Sequence, residues 1–131
     1  MIQSTSLDVP YQVKFTNGQC TAIADVPKEK GGEGQGFGPH ELMEAALATC
    51  LTMTVQMHAK KHNIPLLRAS VEVLIDRTRP PEVPLVYSVK FEGPLSVVQE
   101  EELAAAASSC PVIRTLTGKL ACRPTETAVR S

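Results

Sequence analysis

Cys50 and Cys110 are the residues of this chain whose surroundings best suit chemistry, because they make two unlike thiols. Cys50 stands in a run from Glu44 to Lys60 with no charged residue between those ends. On a helix, Met43, Ala46, Leu47, Met53, Thr54 and Met57 fall near its face at three-, four- and seven-residue spacings. That apolar, methionine-rich setting favours a packed core cysteine with a raised pKa, and a helix dipole fades well before a residue about three turns in. Cys110 precedes Pro111, a residue suited to the first position of a helix. A thiol at that mouth would meet free backbone N–H groups that favour its thiolate, and Arg114, four residues on, could add positive charge. A plain capping or packed thiol is the other reading of Cys110. A thiol within a helix and a thiol at a helix mouth are the two parts a dithiol redox reaction needs.

Other chemistries fit less well. The four cysteines stand at 20, 50, 110 and 122 with no Cys-x-x-Cys pair, which argues against structural zinc. His58 and His62 have the spacing to share a helical face, but no Glu follows His58 and no third ligand is specified, so no metal site is expected. Gly34, Gly36 and Gly38 resemble a phosphate cradle without a Gly-Lys-Ser/Thr end or a preceding βαβ strand, so neither a nucleotide nor any other bound cofactor is expected. No Gly-x-Ser-x-Gly elbow supports serine hydrolysis. A net charge of −1 and the absence of Trp remove the electrostatic and stacking features of a nucleic-acid binder. The N-terminal MIQSTSLDVPYQVKF has neither a basic nor an apolar leader region, so a cytoplasmic location is expected.

The elements that must position the thiols are legible as local patterns. At 131 residues, 43% hydrophobic, the chain suits one domain, 1–131. Tyr11, Val13 and Phe15 alternate with polar residues before Asn17-Gly18, which predicts a hairpin with a type I′ turn pairing residues 11–16 with 19–25. Cys20 then falls on the second strand as a small packed side chain. Gly31 to Gly38 form a glycine-rich connector. Pro39 at the first helical position, Glu41 and Glu44 in the first turns, and Lys60 and Lys61 before Asn63 and Pro65 predict one helix from about 39 to 61. Lacking a polar face, this helix should be buried on most sides, and a chain of this size needs a second subunit to cover part of it, while Met43, Met53 and Met57 are candidates to line an apolar pocket, with packed core as the other reading. Thr52, Thr54, Gln56 and His58 interrupt the apolar run, so a membrane span is not expected.

Val71, Val73 and Ile75, then Leu85, Tyr87, Val89 and Phe91, alternate with other residues as two half-buried strands around a proline-rich connection. Ser96 with Gln99 marks a helix start before Leu103 to Ala107, Cys110-Pro111 restarts a short helix, and a last strand carries Leu120 and Cys122. The fold class is α+β with mainly antiparallel sheet around a long buried central helix.

Gly38-Pro39, Glu41-Leu42 and Glu44-Ala45-Ala46-Leu47-Ala48-Thr49-Cys50, followed after sixty residues by Cys110-Pro111-Val112, resemble the OsmC/Ohr family of thiol-dependent hydroperoxide reductases over roughly residues 10 to 123. The resemblance implies an intertwined homodimer with active sites at the subunit interface. It further implies a peroxidatic Cys50, a resolving Cys110, a small-molecule organic hydroperoxide as substrate and an external dithiol as reductant. In well-characterised members an arginine of the N-terminal sheet region and a glutamate before the Cys-bearing helix activate the thiol. This chain has no Arg before Arg68, and the glutamate position ten residues before Cys50 holds His40, with Glu41 beside it. His40 and Glu41 are thus candidates for the catalytic site beside Cys50 and Cys110. The departures mark a divergent, general OsmC-like branch, for which a non-catalytic small-ligand-binding or stress-associated dimer is the alternative.

Overall fold

The computed structural model describes residues 1–125. The chain divides into two compact units, Met1–Ala48 with Glu72–Ser88 and Thr49–Val71 with Val89–Ser131.

In the first unit, strands β1 (Gln3–Ser6), β2 (Val13–Thr16) and β3 (Thr21–Ala24) form an antiparallel sheet in that order. The hairpin predicted around Asn17 is present, with Val13 opposite Ala24 and Thr16 opposite Thr21. Its turn differs from the expectation. Thr16 opposite Thr21 leaves four residues in the loop, and Asn17 does not take the positive φ that a type I′ turn requires. Instead the Asn17 side-chain oxygen accepts the N–H groups of Gln19 and Cys20 at 2.9 and 2.8 Å, and Gly18 takes the positive φ of 95°. This side-chain turn pulls Cys20 off the strand and leaves it exposed, not packed. β1 was not expected, because all four of its residues are exposed polar positions without alternation; pairing with β2 alone makes it a strand.

The glycine-rich connector folds back along β3. Phe37 N–H donates to the Ile23 carbonyl and Asp25 N–H to the Phe37 carbonyl, forming a parallel bridge between Ala24 and Phe37. Gly36 is required there, since a Cβ would sit 2.3 Å from the Ile23 carbonyl oxygen. The buried Asp25 carboxylate ties the connector down by accepting from Gln35 N–H at 3.1 Å and from Val26 N–H at 2.8 Å. The Gln35 bond is the main reason its pKa lies below the ordinary carboxylate value despite burial.

Helix α1 spans Pro39–Lys61, as its end signals predicted. Glu41 Oε1 accepts the Gly38 N–H at 3.1 Å, satisfying a donor at the helix mouth. At the other end Asn63 takes a φ of 52°, and Ile64 N–H reaches the Ala59 carbonyl at 2.9 Å in a Schellman-type closure. Leu47, Leu51, Val55 and Ala59, each four residues apart, form its buried stripe. Away from that stripe the helix is open in the single chain, with Met53 and Met57 54% and 68% exposed, and Met43, one turn before Leu47, is 43% exposed. Packing inside one chain therefore leaves these methionines uncovered. No described helix is long and apolar enough to cross a membrane.

β4 (Arg68–Ile75) and β5 (Leu85–Glu92) form the second sheet. Leu67 N–H bonds the Glu92 carbonyl at one end and Asp76 N–H the Pro84 carbonyl at the other, so the strands run antiparallel. Val71, Val73 and Ile75 alternate inward as their period of two requires, and residues 77–84 are exposed.

In the second unit, α2 (Val97–Ala107) begins at a complete capping box, Ser96 Oγ accepting Gln99 N–H and Gln99 Oε1 accepting Ser96 N–H. Leu103 and Ala107 are its buried side chains. α3 (Pro111–Leu116) follows, capped by Cys110. The expected final strand is absent among the described residues. Leu120 and Cys122 are exposed, and Leu120 N–H turns back to the Gly118 carbonyl. Two apolar side chains there are too few to make an alternating, buriable face.

Candidate functional site

Cys50 and Cys110, sixty residues apart in sequence, meet within the second unit. α1 presents Cys50 at the edge of its buried stripe, next to Leu51 and one turn before Thr54. The Thr54 hydroxyl lies 3.9 Å from Cys50 Sγ. Cys110 is fully buried in extended conformation (φ −61°, ψ 143°), and its Sγ accepts the Ile113 N–H at 3.4 Å. Pro111 starts the helix with no N–H of its own, so Val112 and Ile113 carry the free donors nearest the thiols.

The two sulfurs titrate in opposite directions. Burial pushes Cys50 up, but the Val112 N–H, the Cys110 thiol and the Thr54 hydroxyl together bring it below the ordinary thiol value. Burial is also the largest influence on Cys110 and there it prevails: Ile113 N–H lowers the pKa, the Cys50 sulfur raises it, and the result lies above the ordinary value. This inverts the sequence expectation that Cys110 would be the easier thiol to activate. The helix-mouth donors are shared, and the less enclosed sulfur keeps the net benefit. Arg114 is not among the groups that shift either thiol. Among the described residues, the groups that lower Cys50 are uncharged hydrogen-bond donors.

His40 and Glu41 belong to the first unit. With Glu44, Lys30 and Arg77 they line a cleft of about 270 Å³ at the start of α1. Arg77 Nη1 lies 3.5 Å from His40 Nε2, Glu41 caps the helix, and Glu44 Oε2 accepts the Ile75 N–H at 3.0 Å. Among the described residues, the groups that lower the Cys50 pKa are the Val112 N–H, the Cys110 thiol and the Thr54 hydroxyl. Sequence reading placed Thr54 on the face of Cys50 without assigning it a role. It missed Val112 because a backbone donor leaves no side-chain signature; Pro111 was the only local sign of a helix mouth.

Chemically, the arrangement sets an ionisable thiol against a protonated one that donates to it. That suits a nucleophilic sulfur with a second sulfur held in reserve.

The fold recurs in solved structures. An OsmC like protein from Mycoplasma pneumoniae superposes with a TM-score of 0.74 at 22% identity, over 90% of this chain and 86% of that one. An organic hydroperoxide resistance protein from Legionella pneumophila gives 0.64 at 24% identity, over 90% and 88%. The organic hydroperoxide resistance protein OhrB of Bacillus subtilis gives 0.59 at 19% identity, over 90% of both chains. No curated protein sequence matches the chain. The family model for OsmC-like proteins matches residues 32–123, spanning the connector, α1, both thiols and the strands between them, and the chain belongs to that family.

Proposed function

We propose that this protein reduces organic hydroperoxides, with Cys50 as the attacking thiol and Cys110 as the resolving one. The observation that carries the reading is the meeting of a depressed Cys50 thiol with a buried, protonated Cys110. Membership of a family whose solved relatives include organic hydroperoxide resistance proteins supports it.

In this scheme Cys50 thiolate attacks the terminal oxygen of ROOH. The O–O bond breaks, Cys50 becomes a sulfenic acid, and the alkoxide takes a proton to leave as ROH. Cys110 sulfur then attacks the sulfenic sulfur as its own proton leaves with the sulfenic hydroxyl as water, forming the Cys50–Cys110 disulfide. An external dithiol reduces that disulfide and is itself oxidised. Until the sulfenic acid forms, the raised pKa of Cys110 keeps it protonated as a donor to Cys50. The protein acts as a homodimer: a second copy covers the uncharged side of α1 where Met53 and Met57 are exposed.

The lack of an arginine before Arg68 favours the second reading, a dimer that binds a small ligand without turning it over. One experiment separates the two. Reduced protein is mixed with one equivalent of cumene hydroperoxide, and peroxide loss and thiol mass are followed in wild type, Cys50→Ser and Cys110→Ser. Expected are rapid peroxide loss with one intramolecular disulfide in wild type, none in Cys50→Ser, and an accumulating Cys50 sulfenic acid in Cys110→Ser. An unoxidised Cys50 in wild type rules out the enzyme reading.

A further inference from the structure

His58 and His62 stand one helical turn apart at the end of α1. The His62 N–H bonds the His58 carbonyl at 3.0 Å, which carries the helical turn one residue past Lys61. The two imidazoles therefore project from one side, with ring centroids 4.3 Å apart and planes tilted by 34°. α2 supplies what the sequence could not specify. Glu102 Oε1 lies 2.8 Å from His58 Nε2, and one ligand atom from each of His58, His62 and Glu102 lies within 4.8 Å of the other two. All three belong to the second unit. The His58 and Glu102 side chains are 26% and 42% exposed, so a hydrated ion can reach them and keep water in a fourth position.

We propose that His58, His62 and Glu102 form a binding site for a divalent transition metal of the zinc class. Two imidazole nitrogens and one carboxylate oxygen are a recurrent zinc donor set with one open position. Tetrahedral coordination at about 2.0–2.2 Å would set the donors roughly 3.4 Å apart. Coordination would require the short His58–Glu102 contact to open and the wider approaches to close through side-chain rotation. The ion joins the end of α1 to α2, the element that leads into Cys110. Cys50, Thr54 and His58 follow one another at four-residue intervals, so the metal lies about 12 Å along the helix from the Cys50 position. It bridges the two helices away from the thiols and takes no part in peroxide chemistry at Cys50.

The test uses reduced, tag-free, full-length protein titrated with Co²⁺ and, separately, Zn²⁺. Wild type should bind one equivalent of Co²⁺ with ligand-field absorption and no sulfur-to-cobalt charge-transfer band. Saturating Zn²⁺ should raise its thermal midpoint. His62→Ala and Glu102→Gln, shown to be folded by circular dichroism, should each bind about tenfold more weakly or worse and lose the thermal shift. As a check independent of those variants, Co²⁺ should broaden the imidazole NMR signals of His58 and His62 before that of His40. No saturable binding, a charge-transfer band that disappears in Cys50→Ser, affinity unchanged in both variants, or His40 broadening first would each overturn the proposal.

Discussion

Ionisation of Cys50 depends on hydrogen bonds that single substitutions can remove. Its pKa is lowered although burial opposes it, so its thiolate forms at lower pH than that of an ordinary cysteine and is lost as pH falls through the depressed value. Iodoacetamide alkylation followed by mass spectrometry should therefore give Cys50 a pH midpoint below that of free cysteine, while Cys110 reacts only at higher pH and more slowly. Cys110→Ala and Thr54→Val each delete one donor and should move the Cys50 midpoint upward. A midpoint that stays put in both variants would show that these groups do not tune the sulfur. Cys110, with its proton held by burial, contributes stability below the ordinary thiol range that is lost as pH rises through its raised pKa; the contribution of Cys50 runs the opposite way.

At the scale of elements, helices α1 and α2 are held by different means. α2 is 11 residues long and starts at a reciprocal cap, so Ser96→Ala leaves the Gln99 N–H without its acceptor and should cost about 1 kcal/mol. In α1 the buried stripe dominates, and Leu51 is fully enclosed. Leu51→Ala should cost about 2–5 kcal/mol, depending on how far the neighbours collapse into the space. Urea denaturation of both variants checks the order, and a larger loss for Ser96→Ala would contradict it. End signals of these helices, Pro39, Asn63 and the Ser96–Gln99 pair, act within a few residues and were readable from the chain alone. The Asn17 loop was misread because Asn17-Gly18 is compatible with more than one turn. The side-chain bonds to Gln19 and Cys20, in register with Thr16 opposite Thr21, select the longer loop.

For the whole molecule, the uncharged run in α1 has more apolar surface than one chain covers. In the proposed homodimer Met53 lies at the interface, so Met53→Lys places a charge where the partner would seat itself. Light scattering should give wild type twice the protomer mass and Met53→Lys the mass of one protomer at micromolar concentration, with helical circular dichroism retained. A monomeric wild type would remove the dimer from the proposal.

The sequence by itself determined whatever depends on short-range order: the span of α1, the alternation in β4, the cap of α2, and the two thiol motifs that carry the family resemblance; in β5 the expected alternation fails at Tyr87, which is exposed along with Val86 and Ser88. Tertiary structure decided what depends on groups distant in the chain. β1 is a strand only through its pairing with β2, and the paired imidazoles of His58 and His62 acquire Glu102 from another helix. Most consequentially, the Val112 N–H and the Cys110 thiol converge on Cys50, so the sulfur that local surroundings made the poorer acid becomes the better one. A pKa is set by the groups that reach the charge through space, and neighbours in sequence specify only a few of them.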